Sequence, residues 1–109
     1  MSCKYLKVAA LSDLRDEEMF PVELEGEPIL LAKVQGQVHA FHAICTHGLG
    51  YLEDGFLEGH EVSCPLHDGR FDIRDGQPTK TPCTEPIKCY PVRIEGNDVF
   101  LTMDAGDAA

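Results

Sequence analysis

Two short segments constrain this chain more than any other part of it: Cys45-Thr46-His47 and Cys64-Pro65-Leu66-His67, with sixteen residues between His47 and Cys64. Each segment supplies one thiolate and one imidazole. Two sulfur and two nitrogen donors, drawn alternately from two loops, suit a mixed-ligand [2Fe–2S] cluster with one iron held by Cys and the other by His. Such a cluster moves single electrons, so the pattern points to chemistry as well as to a fold. The same donor types can close a tetrahedral zinc site without redox chemistry. Common zinc spacings, however, group the cysteines apart from the histidines, whereas this chain mixes one of each in both loops.

A length of 109 residues predicts one domain, and a 43% hydrophobic content can fill a small core. A domain this short is marginally stable, and a bound metal group would help to hold it together. The formal charge is −10, from 19 acidic and 9 basic residues. That balance argues against nucleic acid or an anionic membrane surface as a partner. It suits a carrier that docks on basic patches of larger proteins, where opposite fields speed encounter. No stretch reads as a signal peptide or approaches the roughly 20 apolar residues needed to span a bilayer. The five cysteines are Cys3, Cys45, Cys64, Cys83 and Cys89. An odd count with two committed to a metal argues against a disulfide framework and for a reducing cytoplasm.

Turn signals are frequent and apolar segments short, with no sustained helical spacing. Glu25-Gly26, Gln35-Gly36, Asp54-Gly55, Gly59-His60, Asp75-Gly76 and Gly96-Asn97 punctuate the chain. Tyr5 to Ala10 reads as a first strand. Leu11 to Glu18 reads as a turn of helix or a loop, with Ser12 as its cap. Pro28 to Val34 and Val38 to Ile44 read as a hairpin. Within its second half Val38, Ala40, His42 and Ile44 face one way, and His39, Phe41 and Ala43 the other. Phe56 to Ser63 forms a short hairpin around Gly59-His60. Arg70 to Ile73 is another strand, and Ile87 to Glu95 with Asp98 to Met103 forms the last hairpin. The expectation is an all-β sandwich or small barrel-like base with a small inserted subdomain at about 43–83. One domain spans 1–103, and 104–109 form a frayed tail.

Cys45-Thr46-His47-Gly48 and Cys64-Pro65-Leu66-His67-Asp68-Gly69 resemble the two cluster boxes of Rieske iron–sulfur proteins. The likeness extends to Gly55, Leu57-Glu58-Gly59, Arg70-Phe71-Asp72 and Gly76. It is nearest to the small Rieske ferredoxins of bacterial aromatic-ring dioxygenase systems. The resemblance implies a Rieske fold and one [2Fe–2S] cluster. Cys45 and Cys64 would hold one iron, and His47 and His67 the other, with the two imidazoles as the electron portal. It also implies a proline-containing loop over the cluster, which Pro78 to Pro86 fits.

The chain departs from the respiratory branch of that family. The extra box cysteines of that branch, joined there as a disulfide, correspond to Gly50 and Leu66. Its sulfur-directed Ser and Tyr hydroxyls correspond to Gly69 and Phe71. Hydrogen bonds to cluster sulfurs favour the reduced form. At about 59 mV for about 1.4 kcal/mol in a one-electron couple, losing two such bonds lowers the potential by on the order of 100 mV. The resemblance therefore implies a low-potential, soluble one-electron carrier. It would take electrons from a flavin-dependent ferredoxin reductase, pass them to the terminal oxygenase and do no bond chemistry itself. The chain has no room for an oxygenase domain with a separate 2-His-1-carboxylate iron. A small Rieske-type subunit of an NAD(P)H-dependent nitrite reductase is the alternative, and a structural zinc module a third. Transfer would use transient docking of a monomer. The docking tip would carry His47 and His67, rimmed by Gly48, Leu49, Leu66 and Pro82, with Glu53, Asp54 and Asp68 further out.

Other reactive-looking residues read as structural. His39 and His42 are strand or surface residues, and His60 a solvated turn residue. Cys83 is a small hydrophobe in the cover loop, Cys3 an end residue and Cys89 a strand residue. Asp68 and Asp72 fill turn and strand-end roles, and Arg70 orients a carboxylate.

Overall fold

The residues Ile29-Leu30-Leu31-Ala32 are apolar without a break, and consecutive side chains on a strand point to opposite faces. Such a strand is stable only with both faces covered. A computed structural model, describing residues 5–44, 51–64, 69–80 and 85–102, shows what covers them. Its strands are β1 (Leu6–Ala10), β2 (Met19–Leu24), β3 (Glu27–Val34), β4 (Gln37–His42), β5 (Leu57–Glu58) and β6 (Glu61–Ser63). They continue as β7 (Arg70–Asp72), β8 (Pro78–Lys80), β9 (Cys89–Tyr90), β10 (Val92–Glu95) and β11 (Asp98–Leu101). Three antiparallel sheets form, in the orders β1-β11-β10, β2-β3-β4-β9 and β5-β6-β7-β8.

The middle sheet, β2-β3-β4-β9, separates two apolar clusters. Ile29 and Leu31 join Leu24, Ala40, Tyr90, Val99 and Leu101 on the side of the β1-β11-β10 sheet. Leu30, Ala32 and Val34 join Phe41, Ala43, Leu52, Val62, Cys64 and Phe71 on the side of the β5–β8 sheet. Removing these side chains from water supplies the main driving force for stacking the sheets. The chain leaves the middle sheet after β4, builds the whole β5–β8 sheet, and returns as β9 beside β4, with Phe41 opposite Cys89. The all-β expectation holds, and the β5–β8 sheet is built from Leu57 to Lys80.

Several local expectations need correction. Strand β2 is absent from the expectations although Phe20, Val22 and Leu24 alternate with Pro21 and Glu23, because a proline within a run argues against a strand. It forms as an edge strand, opposite β3 with Pro21 across from Leu30, and an edge position tolerates the missing N–H of proline. The run Ile87 to Glu95 is not one strand. It switches sheets at Pro91, leaving β9 on the middle sheet and β10 paired with β11. The first residues of the expected cover loop, Pro78–Lys80, form β8 against β7; positions 81–84 lie outside the described residues, as does the 104–109 tail. A 3₁₀ turn occupies Leu11–Asp13, but Ser12 does not cap it. Instead the Ser12 amide donates to Asn97 Oδ1 at 3.1 Å, and Ser12 Oγ accepts from Asn97 Nδ2 at 3.2 Å.

His60 is half-buried rather than simply solvated. From the β5–β6 turn its ring meets the β4 residue His39 edge-to-face, with centroids 5.6 Å apart. His39 Nε2 is buried and finds no hydrogen-bond partner among the described residues. Burial, His60 and then Arg74 hold the His39 pKa below its ordinary 6.5, against a smaller opposing pull from Asp72. The folded state therefore keeps His39 neutral where the unfolded chain begins to take up a proton. Stability attributable to this seam is intact above 6.5 and is lost as pH falls from there toward the lowered folded value. Urea titrations at pH 7, 6 and 5 should show falling stability, with a shallower fall in His39→Gln. Equal slopes for the two proteins would remove His39 from the acid response.

Candidate metal centre

The described residues place the stems of both Cys- and His-containing segments on one core. An antiparallel bridge between Ile44 and Tyr51 closes the segment 45–50, and the Leu52 amide donates to the Ala43 carbonyl at 2.7 Å. The second segment, 65–68, is closed by the Cys64 amide donating to the Gly69 carbonyl at 2.7 Å. Ala43, Leu52, Cys64 and Phe71 share the same buried cluster, so the stems are fixed relative to each other by packing. A second 3₁₀ turn, Leu52–Asp54, stitches them further. The Ser63 amide donates to the Phe56 carbonyl at 2.8 Å, and the Phe56 amide donates to Ser63 Oγ at 3.0 Å. Gly55 lies so close that a Cβ there would collide with the Ser63 carbonyl oxygen. The third stem, β8, leads into 81–84 with Lys80 opposite Arg70.

Of the four expected ligands, Cys64 is described; Cys45, His47 and His67 lie outside the described residues. Cys64 is 1% exposed and unpaired to any other described cysteine. A cysteine buried at the mouth of a closed loop fits a thiolate ligand. Cys89, the other described cysteine, has a different chemistry. Its Sγ lies 3.6 Å from the Ile73 carbonyl oxygen as a weak donor. Burial, helped by Asp75 and Asp72, pushes its pKa up to about 11, so it remains a thiol at neutral pH. That supports the strand role expected for it. Cys3 and Cys83 lie outside the described residues.

The flanking charges are ordered by the strands. Arg70 Nη1 donates to Glu58 Oε1 at 2.9 Å and to Glu61 Oε1 at 3.4 Å, tying β7 to the β5–β6 hairpin. Asp72 accepts from Arg74 Nε at 3.0 Å and from Arg74 Nη2 at 2.7 Å, and this bonding holds its carboxyl below the usual carboxylate range. Both residues thus serve structure, as expected. His42 Nε2 contacts Glu27 Oε1 at 3.0 Å across the middle sheet, well occupied without a metal. Sequence reasoning overlooked Gly55 and Ser63 as organisers of the stems; the Asp54-Gly55 turn signal was their trace.

The model of the Rieske [2Fe-2S] domain matches residues 4–91. The chain belongs to that family. It is 42% identical over 104 residues to the ferredoxin component of the naphthalene 1,2-dioxygenase/salicylate 5-hydroxylase systems of a Ralstonia species, covering 95% of this chain and 100% of the relative. The ferredoxin of carbazole 1,9a-dioxygenase from Nocardioides aromaticivorans IC177 superposes with a TM-score of 0.86 at 31% identity, covering 90% of this chain and 96% of that one. A chain in a solved complex of reduced oxygenase and oxidized ferredoxin in carbazole 1,9a-dioxygenase superposes equally well, at 0.86 and 32% identity, covering 93% and 94%. A Rieske protein of this ferredoxin class holds one [2Fe–2S] cluster and serves electron transfer, not bond chemistry on an organic substrate. Family membership also sets aside the zinc module.

Proposed function

We propose that this protein carries single electrons from a flavin-dependent ferredoxin reductase to the terminal oxygenase of a multicomponent aromatic-ring dioxygenase system. The observation that carries this reading is the end-to-end match to a ferredoxin component of such a system. The match also favours a diffusing carrier over a fixed nitrite reductase subunit. In this reading Cys45 and Cys64 hold one iron, and His47 and His67 the other. The cluster-binding subdomain runs from about 43 to 83 inside a domain of 1–103, and docking centres on the two imidazoles. When bound, the cluster accepts and releases one electron at a time. The chain contributes a fixed cradle: Cys64 is anchored through its amide, and the stems share one packed core. A rigid cradle limits the rearrangement that accompanies each change of charge. In this reading the carrier works in the cytoplasm as a monomer. Among the described residues no helix is long and apolar enough to cross a membrane.

The same residues set the expected potential. Gly69 offers no side-chain donor, and Phe71 is fully buried in the apolar cluster with no hydroxyl. With those two donors missing, the midpoint should lie in the lower part of the roughly −150 to +300 mV that Rieske centres span. EPR-monitored redox titration of the holoprotein should give a rhombic reduced signal with low average g. A midpoint above about +100 mV, still within that range, would contradict the low-potential assignment.

A further inference from the structure

Resting on the carrier reading, we infer that the turn from Tyr51 to Phe56 is a docking surface for the terminal oxygenase, with Phe56 as its anchor and an apolar socket rimmed by Lys or Arg as its complement. Phe56 is 78% exposed, more than any other large hydrophobic side chain among the described residues, and Tyr51 follows at 48%. An aromatic ring that open to water gains free energy when a partner covers it.

The turn that displays the two rings is held from beneath. Leu52 is fully buried and bonded to Ala43. The Asp54 and Gly55 amides donate to the Tyr51 and Leu52 carbonyls, each at 3.0 Å. Phe56 is bonded to Ser63 through both its amide and its carbonyl. A backbone so fixed has little freedom left to lose on docking, so the ordering cost falls on the two ring side chains alone. The same bonds place the patch at the base of both ligand-bearing segments, since Tyr51 closes the first and Ser63 precedes Cys64.

Charge selects the partner. Glu53 and Asp54 are exposed between the two rings and Glu58 follows them, while Arg70 is already bonded to Glu58 and Glu61. The patch is therefore apolar with an acidic rim. A second copy would bring like charges face to face in a chain of net charge −10, so self-association is opposed. A basic-rimmed socket satisfies both the rings and the carboxylates, and the oxygenase is the partner with which a 32% identical relative has been solved.

Stopped-flow oxidation of the pre-reduced holoprotein by the terminal oxygenase of a naphthalene 1,2-dioxygenase system tests this surface. Phe56→Ser should slow the second-order step roughly tenfold while the EPR signal and midpoint stay unchanged. Glu53→Gln with Asp54→Asn should flatten the dependence on ionic strength. If the wild type transfers and the variants match it, the surface is wrong and the carrier reading stands. A wild type that transfers nothing overturns the carrier reading with it. Slower reduction by the flavoprotein reductase with unchanged transfer to the oxygenase overturns the choice of partner. A dimer of the wild type that Phe56→Ser dissolves overturns it as well.

Discussion

A Cys64→Ser variant should purify with less than about a tenth of the iron and acid-labile sulfide of the wild type, and with no rhombic EPR signal. Outer-shell substitutions alone typically cost 10- to 100-fold in metal affinity, and replacing a ligating thiolate by a hydroxyl that stays protonated removes more. The structure sharpens the expectation, because Cys64 is buried in the shared core and its amide closes the loop. No neighbouring described cysteine can substitute for it: Cys89 lies on β9, held as a thiol toward Ile73. Cys89→Ser should therefore keep full iron content. Because bound metal contributes to folding, the melting temperature of Cys64→Ser should fall along with its iron. Stoichiometric iron in Cys64→Ser, measured beside Cys89→Ser, would exclude Cys64 as a ligand.

Gly76→Ala should cost about 3 kcal/mol, the sum of roughly 1–2 for a left-handed backbone and 1–3 for overpacking. Gly76 has a φ of +81°, donates its amide to the Asp72 carbonyl at 2.7 Å and accepts from the Ile87 amide at 2.9 Å. An added Cβ would collide with the Ile87 carbonyl oxygen and stand 3.2 Å from Cys89 Sγ. The substitution thus pries apart the contact that returns the chain from the β5–β8 sheet to the middle sheet. A drop of more than about 10 °C in the melting temperature is expected. Gly36→Ala provides the comparison. Its φ is +80°, yet nothing lies within 4 Å of the added Cβ, so it should show the backbone cost alone, about 1 kcal/mol. Similar losses for the two variants would show that the Ile87 contact yields easily.

The β3–β4 hairpin was legible in the sequence because its apolar residues and the Gln35-Gly36 turn agree on one local structure. The β5–β6 hairpin was legible for the same reason. Strand β2 was missed although Phe20, Val22 and Leu24 alternate along it, since Pro21 within the run is compatible only with the edge position that the folded sheet gives it. The change of sheet at Pro91 was not legible, since it depends on what lies beside Tyr90 and beside Val92. Arg70 and Asp72 were read correctly as structural, but their partners, Glu58, Glu61 and Arg74, emerged only from the folded chain.

By itself the sequence supplied the proposed donor set, Cys45, His47, Cys64 and His67, because metal preference follows ligand type and spacing. It also determined the absence of hydroxyls at Gly69 and Phe71, and an all-β chain broken by tight turns. Only the tertiary structure decided that β3 is covered on both faces, that Cys64 and not Cys89 sits at a loop mouth, and that Phe56 faces water while Leu52 beside it does not. Local pattern records which side chains avoid water; which surface covers each of them depends on residues distant in sequence, and that pairing exists only once the sheets have stacked.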